Sequence, residues 1–285
     1  MSTTASPPRL FVLHRPDTEH ALIIRRGPSK QTAFFGWNRR TNDIQPGQWL
    51  KGKVYPRRSD LSPDGKYVIY FALNGKWQDE SRGSWTTVSR YPYMKAIDFW
   101  PKGDTWQGGG LFTGPKEYTL YEAFGHTQHT LSGKFKVKRG MVSTPIEKDQ
   151  GLAVYLVRLQ RDGWAFQETR YPAWKEGSNI KPLEPRLHVF HKPINTSLSL
   201  EKVIHLGTAP LSPEGQSLYP EKHRIIGTEE PDSANWQNLD QYKKTLFWTK
   251  AGSLYTAPIK GDDLGEPSLI HDFTDYTFEE RIAPY

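Results

Sequence analysis

The chain has 285 residues, of which 36% are hydrophobic, 13% aromatic and 24% charged, which excludes a disordered chain and provides for a sizeable core. There is no cysteine, so disulfides, thiolate zinc sites and thiol chemistry are ruled out. The formal net charge of +7 permits attraction to nucleic acid or acidic surfaces, but the basic residues are spread along the chain in short knots such as Arg25–Arg26, Arg39–Arg40 and Arg57–Arg58.

The start has no basic segment followed by an apolar one, so no secretory signal is expected, and no window is long and apolar enough for a transmembrane helix. A soluble, cytoplasmic protein is the expectation. Strands are predicted at 9–14, 20–26 and 32–39, separated by Gly, Pro, Asn or Asp. Then comes "DLSPDGKYVIYFALNG" at 60–75. Pro63 presets a turn, Asp64 can bond its own backbone, and Gly65 supplies the positive φ. The run Lys66 to Leu73 is apolar almost throughout, which predicts a strand buried on both faces.

Further strands are predicted at 96–100, 118–124, 134–139, 152–160, 164–171, 186–191 and 202–206, and a strand–turn–strand unit at 245–259. A strand and turn at 266–276 should follow. One short helix is expected near 232–244, capped by Asp232 or Ser233. Ser-Pro-acid-Gly recurs at Ser212, and "SWTTVSRYPYMK" at 84–95 echoes "GWAFQETRYPAWK" at 163–175.

The segment "LSPDGKYVIY" resembles the inter-strand turn of TolB-type and WD40-type β-propeller blades. That resemblance implies an all-β fold, a single β-propeller over residues 1–285. At about 40 to 60 residues per blade, the length suggests five to six blades, or seven. Both chain ends read as strand-forming, as in a ring whose last strand completes the first blade.

"DFWPKGDTWQGGGLF" at 98–112 is the most individual stretch. Its two tryptophans could stack on a ligand and its glycines could let backbone approach one; equally, Trp100 could pack inward while the glycines relieve crowding. Together with "VSRYPYMKA" it resembles uncharacterised bacterial proteins. Some propellers of that kind accompany MoxR-type ATPases and von Willebrand A-domain proteins in three-component conflict systems. The resemblance implies a scaffold or adaptor and carries over no residue of known role.

No catalytic motif is present. Gly-x-Gly-x-x-Gly, Gly-x-Ser-x-Gly and His-Glu-x-x-His are all missing, and the pairs His126/His129 and His188/His191 sit in strand or loop surroundings where residues three apart diverge. A glycosidase would need two converging carboxylates, for which Asp60, Asp98, Asp104, Glu122 and Asp272 are candidates; Asp60, Asp64 and Asp272 are expected to serve turns instead. The tail "HDFTDYTFEERIAPY" is expected to pack Phe273, Tyr276 and Phe278 on the first blade, or else to be presented to a partner.

The reading is therefore a non-enzymatic propeller scaffold that binds a protein partner, with no cofactor, no metal and no membrane contact. The candidate binding residues are Arg90, Tyr91, Trp106, Arg170, Tyr171 and Trp174, because Arg and aromatic residues dominate interface hot spots. A carbohydrate-binding or glycoside-hydrolysing propeller and a nucleic-acid-binding module stay open as alternatives.

Overall fold

The computed structural model describes residues 6–27, 30–121, 125–128, 130–142, 144, 146, 152–170, 186–206, 221–227 and 236–285. The first sheet is β1 (Arg9–His14), β2 (His20–Arg26), β3 (Gln31–Asn38) and β4 (Ile44–Lys51). The second is β5 (Lys53–Leu61), β6 (Tyr67–Leu73), β7 (Ser84–Arg90) and β8 (Ala96–Pro101). The third is β9 (Gly110–Gly114), β10 (Glu117–Tyr121) and β11 (Lys136–Gly140), followed by helix α1 (Ala153–Arg161). The fourth is β12 (Ala165–Arg170), β13 (Arg186–Pro193), β14 (Ser199–Leu206) and β15 (Glu221–Ile226). The fifth is β16 (Gln237–Tyr242), β17 (Thr245–Lys250), β18 (Ser253–Lys260) and β19 (Asp263–Leu264), with β20 (Ser268–Asp272) paired to β18.

Sheets one, two and four are antiparallel meanders in chain order. The fold class is all-β, with one short helix among the described residues, and the five sheets are the blade set of a five-bladed β-propeller. One compact unit holds residues up to Asp162 together with 251–253 and 270–285; a second holds 163–250 and 254–269.

In the first unit, β6 shows why its sequence is apolar throughout. Val68, Tyr70 and Ala72 face Leu13, Leu22, Ile24 and Phe34 of the first sheet. Ile69, on the other face, joins Val88, Trp100, Phe112, Tyr118 and Leu120 between the second and third sheets. Successive side chains of a strand point to opposite faces, so a blade packed on both sides needs apolar residues at every position. Each large side chain so buried contributes about 1.5–3 kcal/mol.

The turn before it forms as its residues dictate. The Gly65 N–H donates to the Ser62 carbonyl at 2.9 Å, the Ser62 hydroxyl to Asp64 at 2.6 Å, and the Lys66 N–H to Asp64 at 3.2 Å. Gly65 has φ +69°, and a Cβ there would sit 2.7 Å from Thr18 Oγ1.

Three expectations are corrected. Residues 152–160 are helical, not a strand: Leu152, Leu156 and Leu159, spaced four and three apart, are buried along one side, and Gly163 at φ +92° follows the helix end. The described part of 232–244 is strand β16, held in register by β17, with Leu239 and Asp240 buried; Asp232 and Ser233 lie outside the described residues. The last strand does not complete the first sheet, because β20 pairs with β18.

The tail meets the first sheet through side chains instead. The Phe35 ring lies 5.1 Å from Phe273 and 4.7 Å from Tyr276, and the Trp49 ring 6.0 Å from Phe278. Buried Arg25 donates to the Phe273 carbonyl at 2.7 Å and to the Thr274 carbonyl at 3.1 Å. The packing expected of Phe273, Tyr276 and Phe278 is thus seen.

Candidate functional site

The β8–β9 connection, residues 102–109, is bound along its length. Ser84 anchors its first half: its carbonyl accepts from the Lys102 N–H at 2.8 Å, its hydroxyl accepts from the Gly103 N–H at 3.1 Å and donates to the Asp104 carbonyl at 2.5 Å. Lys102, itself buried, pairs with Asp104 at 3.0 Å, and Asp104 accepts the Trp106 N–H at 2.8 Å. Arg58 reaches from β5 to the carbonyls of Thr105 and Gln107, at 2.8 and 2.5 Å.

The glycines after Trp106 serve packing. A Cβ on Gly108 would lie 2.5 Å from the Phe71 ring, on Gly109 1.8 Å from the Arg58 carbonyl oxygen, and on Gly110 2.4 Å from that of Thr119. The Gly109 N–H donates to the Thr86 hydroxyl at 2.8 Å. Trp100 is buried and donates to the Tyr118 hydroxyl at 2.9 Å, so of the two tryptophans here only Trp106 faces outward, 78% exposed.

The β6–β7 connection, 74–83, lies at the same end of the second sheet, because β6 and β8 both run toward it. It carries Trp77, 49% exposed, whose ring covers Gly83 so closely that a Cβ there would sit 2.3 Å away. Arg82 lies beside Gly103, which brings the two connections together. An open depression of about 450 Å³ nearby is lined by Asn74, Asp79, Glu80, Ser81 and Phe99.

Arg90 and Tyr91 lie at the opposite end of this sheet, at the other end of β8 from Trp106, so these predicted residues do not form one patch. Tyr91 is largely committed to packing: its hydroxyl donates to the Ala21 carbonyl at 3.0 Å, and burial pushes its phenol above the ordinary range. Pro92 follows in a cis peptide and closes against Gly47. Arg90 is exposed, with its guanidinium 4.7 Å above the Tyr285 ring. Arg170, in the second unit, is exposed at the end of β12 and pairs with Glu168 at 2.6 Å. Tyr171, Trp174, Glu122, His129 and the Ser212 turn lie outside the described residues.

Among the described residues, the candidate carboxylates Asp60, Asp98, Asp104 and Asp272 each have structural partners of their own. Asp60 is fully buried, a structural hub and not a turn residue: its oxygens accept from the Leu61 and Phe112 N–H groups, each at 2.9 Å, and from Arg161 at 2.8 Å. Burial pulls the Arg161 guanidinium down, but Asp60 and Asp162 outweigh it and the net shift is upward. Asp98, also buried, accepts from the Tyr118 hydroxyl at 2.9 Å and from the Ser132 N–H and hydroxyl at 2.8 and 2.7 Å. Burial, then the charge of Asp98, pushes the Tyr118 phenol up. Asp272 caps a turn by accepting the Thr274 N–H at 2.9 Å, as expected. His126 is engaged with Thr86 at 2.9 Å and His188 with Thr169 at 3.0 Å, so each faces a hydroxyl.

Sequence reasoning missed Trp77, although a tryptophan in the polar stretch "NGKWQDESRG" was a usable sign of display. It also missed the arginines around Asp60, which come from distant segments.

No family model matches the chain, and no curated protein matches it. Among solved structures, an uncharacterized protein from Listeria monocytogenes EGD-e aligns with a TM-score of 0.31 at 9% identity, covering 96% of this chain and 85% of its own. A "putative 6-phosphogluconolactonase" from Bacteroides uniformis ATCC 8492 aligns with a TM-score of 0.23 at 10% identity, covering 98% and 87%. Likenesses this distant carry no inference about activity.

Proposed function

We propose that this propeller is a non-enzymatic scaffold or adaptor that binds a protein partner at the edge bearing Trp77 and Trp106. The observation that carries this reading is the contrast at residues 102–109, a backbone fastened by its neighbours that displays one almost fully exposed indole. Exposing so much apolar surface is unfavourable in isolation, and a fixed loop loses little entropy on binding. Tryptophan and arginine are the residues that dominate such contacts, and Arg82 packs against Gly103 of the same connection. The bacterial three-component systems implied by the resemblance of 88–112 would provide the setting.

A second reading, carbohydrate binding, is favoured by the depression lined by Asn74, Asp79, Glu80, Ser81 and Phe99, whose amide, carboxylates and hydroxyl suit polyols. Nucleic-acid binding draws less support. Arg15, Arg25, Arg39, Arg158, Lys102, Lys192 and Lys202 are all buried, so part of the positive charge is internal.

Affinity capture from the native host, with nuclease and at low and high salt, tests the reading. A stoichiometric protein retained by the wild-type chain at high salt should be bound about 30-fold more weakly by Trp106→Ala, the loss of about 2 kcal/mol expected of a hot spot. Folding stability should change by less than about 0.5 kcal/mol, since the ring is outside the core. Equal capture by both chains, or loss of the partner with nuclease, would contradict the reading; a glycan-dependent shift in tryptophan fluorescence would favour the second.

A further inference from the structure

The Arg90 loop already holds a peptide, the chain's own residues 277–285. Up to Thr274 the tail is fixed by buried Arg25, but beyond Tyr276 it runs without strand structure along β4 and the β7–β8 turn. Its contacts are those of a ligand. Phe278 meets Trp49 and lies 4.6 Å beneath the Lys51 ammonium. The Arg281 carbonyl accepts from the Gln48 amide at 2.7 Å, while the same Gln48 accepts from the Met94 and Lys95 N–H groups at 2.7 and 3.0 Å.

Tyr285 closes the contact. Its hydroxyl accepts from the Arg90 N–H at 3.0 Å and donates to the Lys95 carbonyl at 2.7 Å. Its ring lies under Arg90 at 4.7 Å and Lys95 at 5.4 Å, and 6.2 Å from the Tyr93 ring. Lys95 Nζ also donates to the Tyr285 main-chain oxygen. Between these anchors Ala283 is buried and Ile282 is 95% exposed, so the segment lies against the sheets with the Ile282 side chain turned outward.

We propose that this edge of the first two sheets is a peptide-binding groove, filled in cis by residues 277–285, and that its trans ligand is an extended segment of a partner protein bearing a phenylalanine and a tyrosine at the same spacing. The groove presents Lys51 to the Phe278 ring and Arg90 and Lys95 to the Tyr285 ring, while Glu279 pairs with Arg281 inside the tail, so cations over aromatic faces hold the occupant. The occupant therefore identifies the chemistry of its replacement. A cis segment competes at an effective concentration of about a millimolar, so a trans peptide binds the intact chain weakly.

The test uses the full chain and a fluorescent peptide of sequence TFEERIAPY, with Phe278→Ala/Tyr285→Ala as the variant whose tail lets go. Peptide affinity should rise about tenfold or more in the variant over wild type, fall back when Gln48→Ala is added, and vanish for a peptide ending in alanine. Hydrogen exchange at the Arg90 amide should rise in the variant while the cores of β6 and β7 stay protected. Equal affinity for variant and wild type, no binding to a variant with intact exchange protection, or loss of that protection would each overturn the proposal; the last would make the tail an integral strap.

Discussion

Replacing Asp60 with alanine is expected to cost about 3–5 kcal/mol of folding stability, the penalty for removing one partner of a buried ion pair. Asp60 joins four parts of the first unit. It caps its own strand through the Leu61 N–H, accepts from Phe112 on β9, pairs with Arg161 on α1, and lies 3.8 Å from Arg15 beyond β1. Arg158 donates to the carbonyls of Pro56 and Ser59 in the same region. Without the carboxylate, buried Arg15 and Arg158 and partly buried Arg161 are left with Asp162 and the exposed Asp17 as the acidic groups near them. Asparagine will not rescue the site, because its NH2 group must face one of the donors that the lost oxygen satisfied. Urea unfolding should show the midpoint falling for both variants at unchanged slope. Domains of this kind have only about 5–15 kcal/mol in total, so Asp60→Ala should also lower the yield of folded protein.

Gly109→Ala is the second large effect, and it connects stability to the displayed tryptophan. The alanine Cβ would overlap the Arg58 carbonyl oxygen at 1.8 Å, in a backbone held at φ +83°. Left-handed strain of about 1–2 kcal/mol and overpacking of about 1–3 kcal/mol add to about 3 kcal/mol. Relief requires the backbone at Arg58 to move, and the Arg58 guanidinium secures Thr105 and Gln107 on either side of Trp106. The variant should therefore lose partner binding as well as stability. Gly75→Ala is the matched control: its φ is +74°, but nothing lies within 4 Å of the added Cβ, so only the backbone strain is felt. Thermal unfolding of the two variants side by side checks this; equal losses would show that contact with Arg58 is unimportant.

Local chemistry was legible in the sequence wherever one short segment contained the whole cause. The turn at 62–65 and strands β1, β2 and β6 depend on residues adjacent in the chain. Helix α1 was not legible as such, because Val154, Tyr155 and Val157 have β preference; only the spacing of Leu152, Leu156 and Leu159 betrays the helical face. The role of Asp60 was hidden for a different reason. Its partners come from positions 15, 112 and 161, and nothing in "RRSDLSPDG" distinguishes a buried hub from a turn aspartate.

The candidate binding residues divide the same way. Trp106 and Trp100 stand six positions apart in similar surroundings, yet one projects into solvent and the other into the core, according to which partner each indole finds. Arg90 was singled out from its residue type alone, and its contact with Tyr285, 195 positions away in sequence, could not be read from its own segment.

A photo-crosslinking amino acid placed at exposed position 105, beside an intact Trp106, in the native host tests the central claim most directly, with position 170 as the comparison. The scaffold reading predicts one crosslinked protein species at 105, resistant to nuclease and lost when Trp106→Ala is added. Crosslinks to nucleic acid, the same products from position 170, or none at 105 from a folded chain would contradict it.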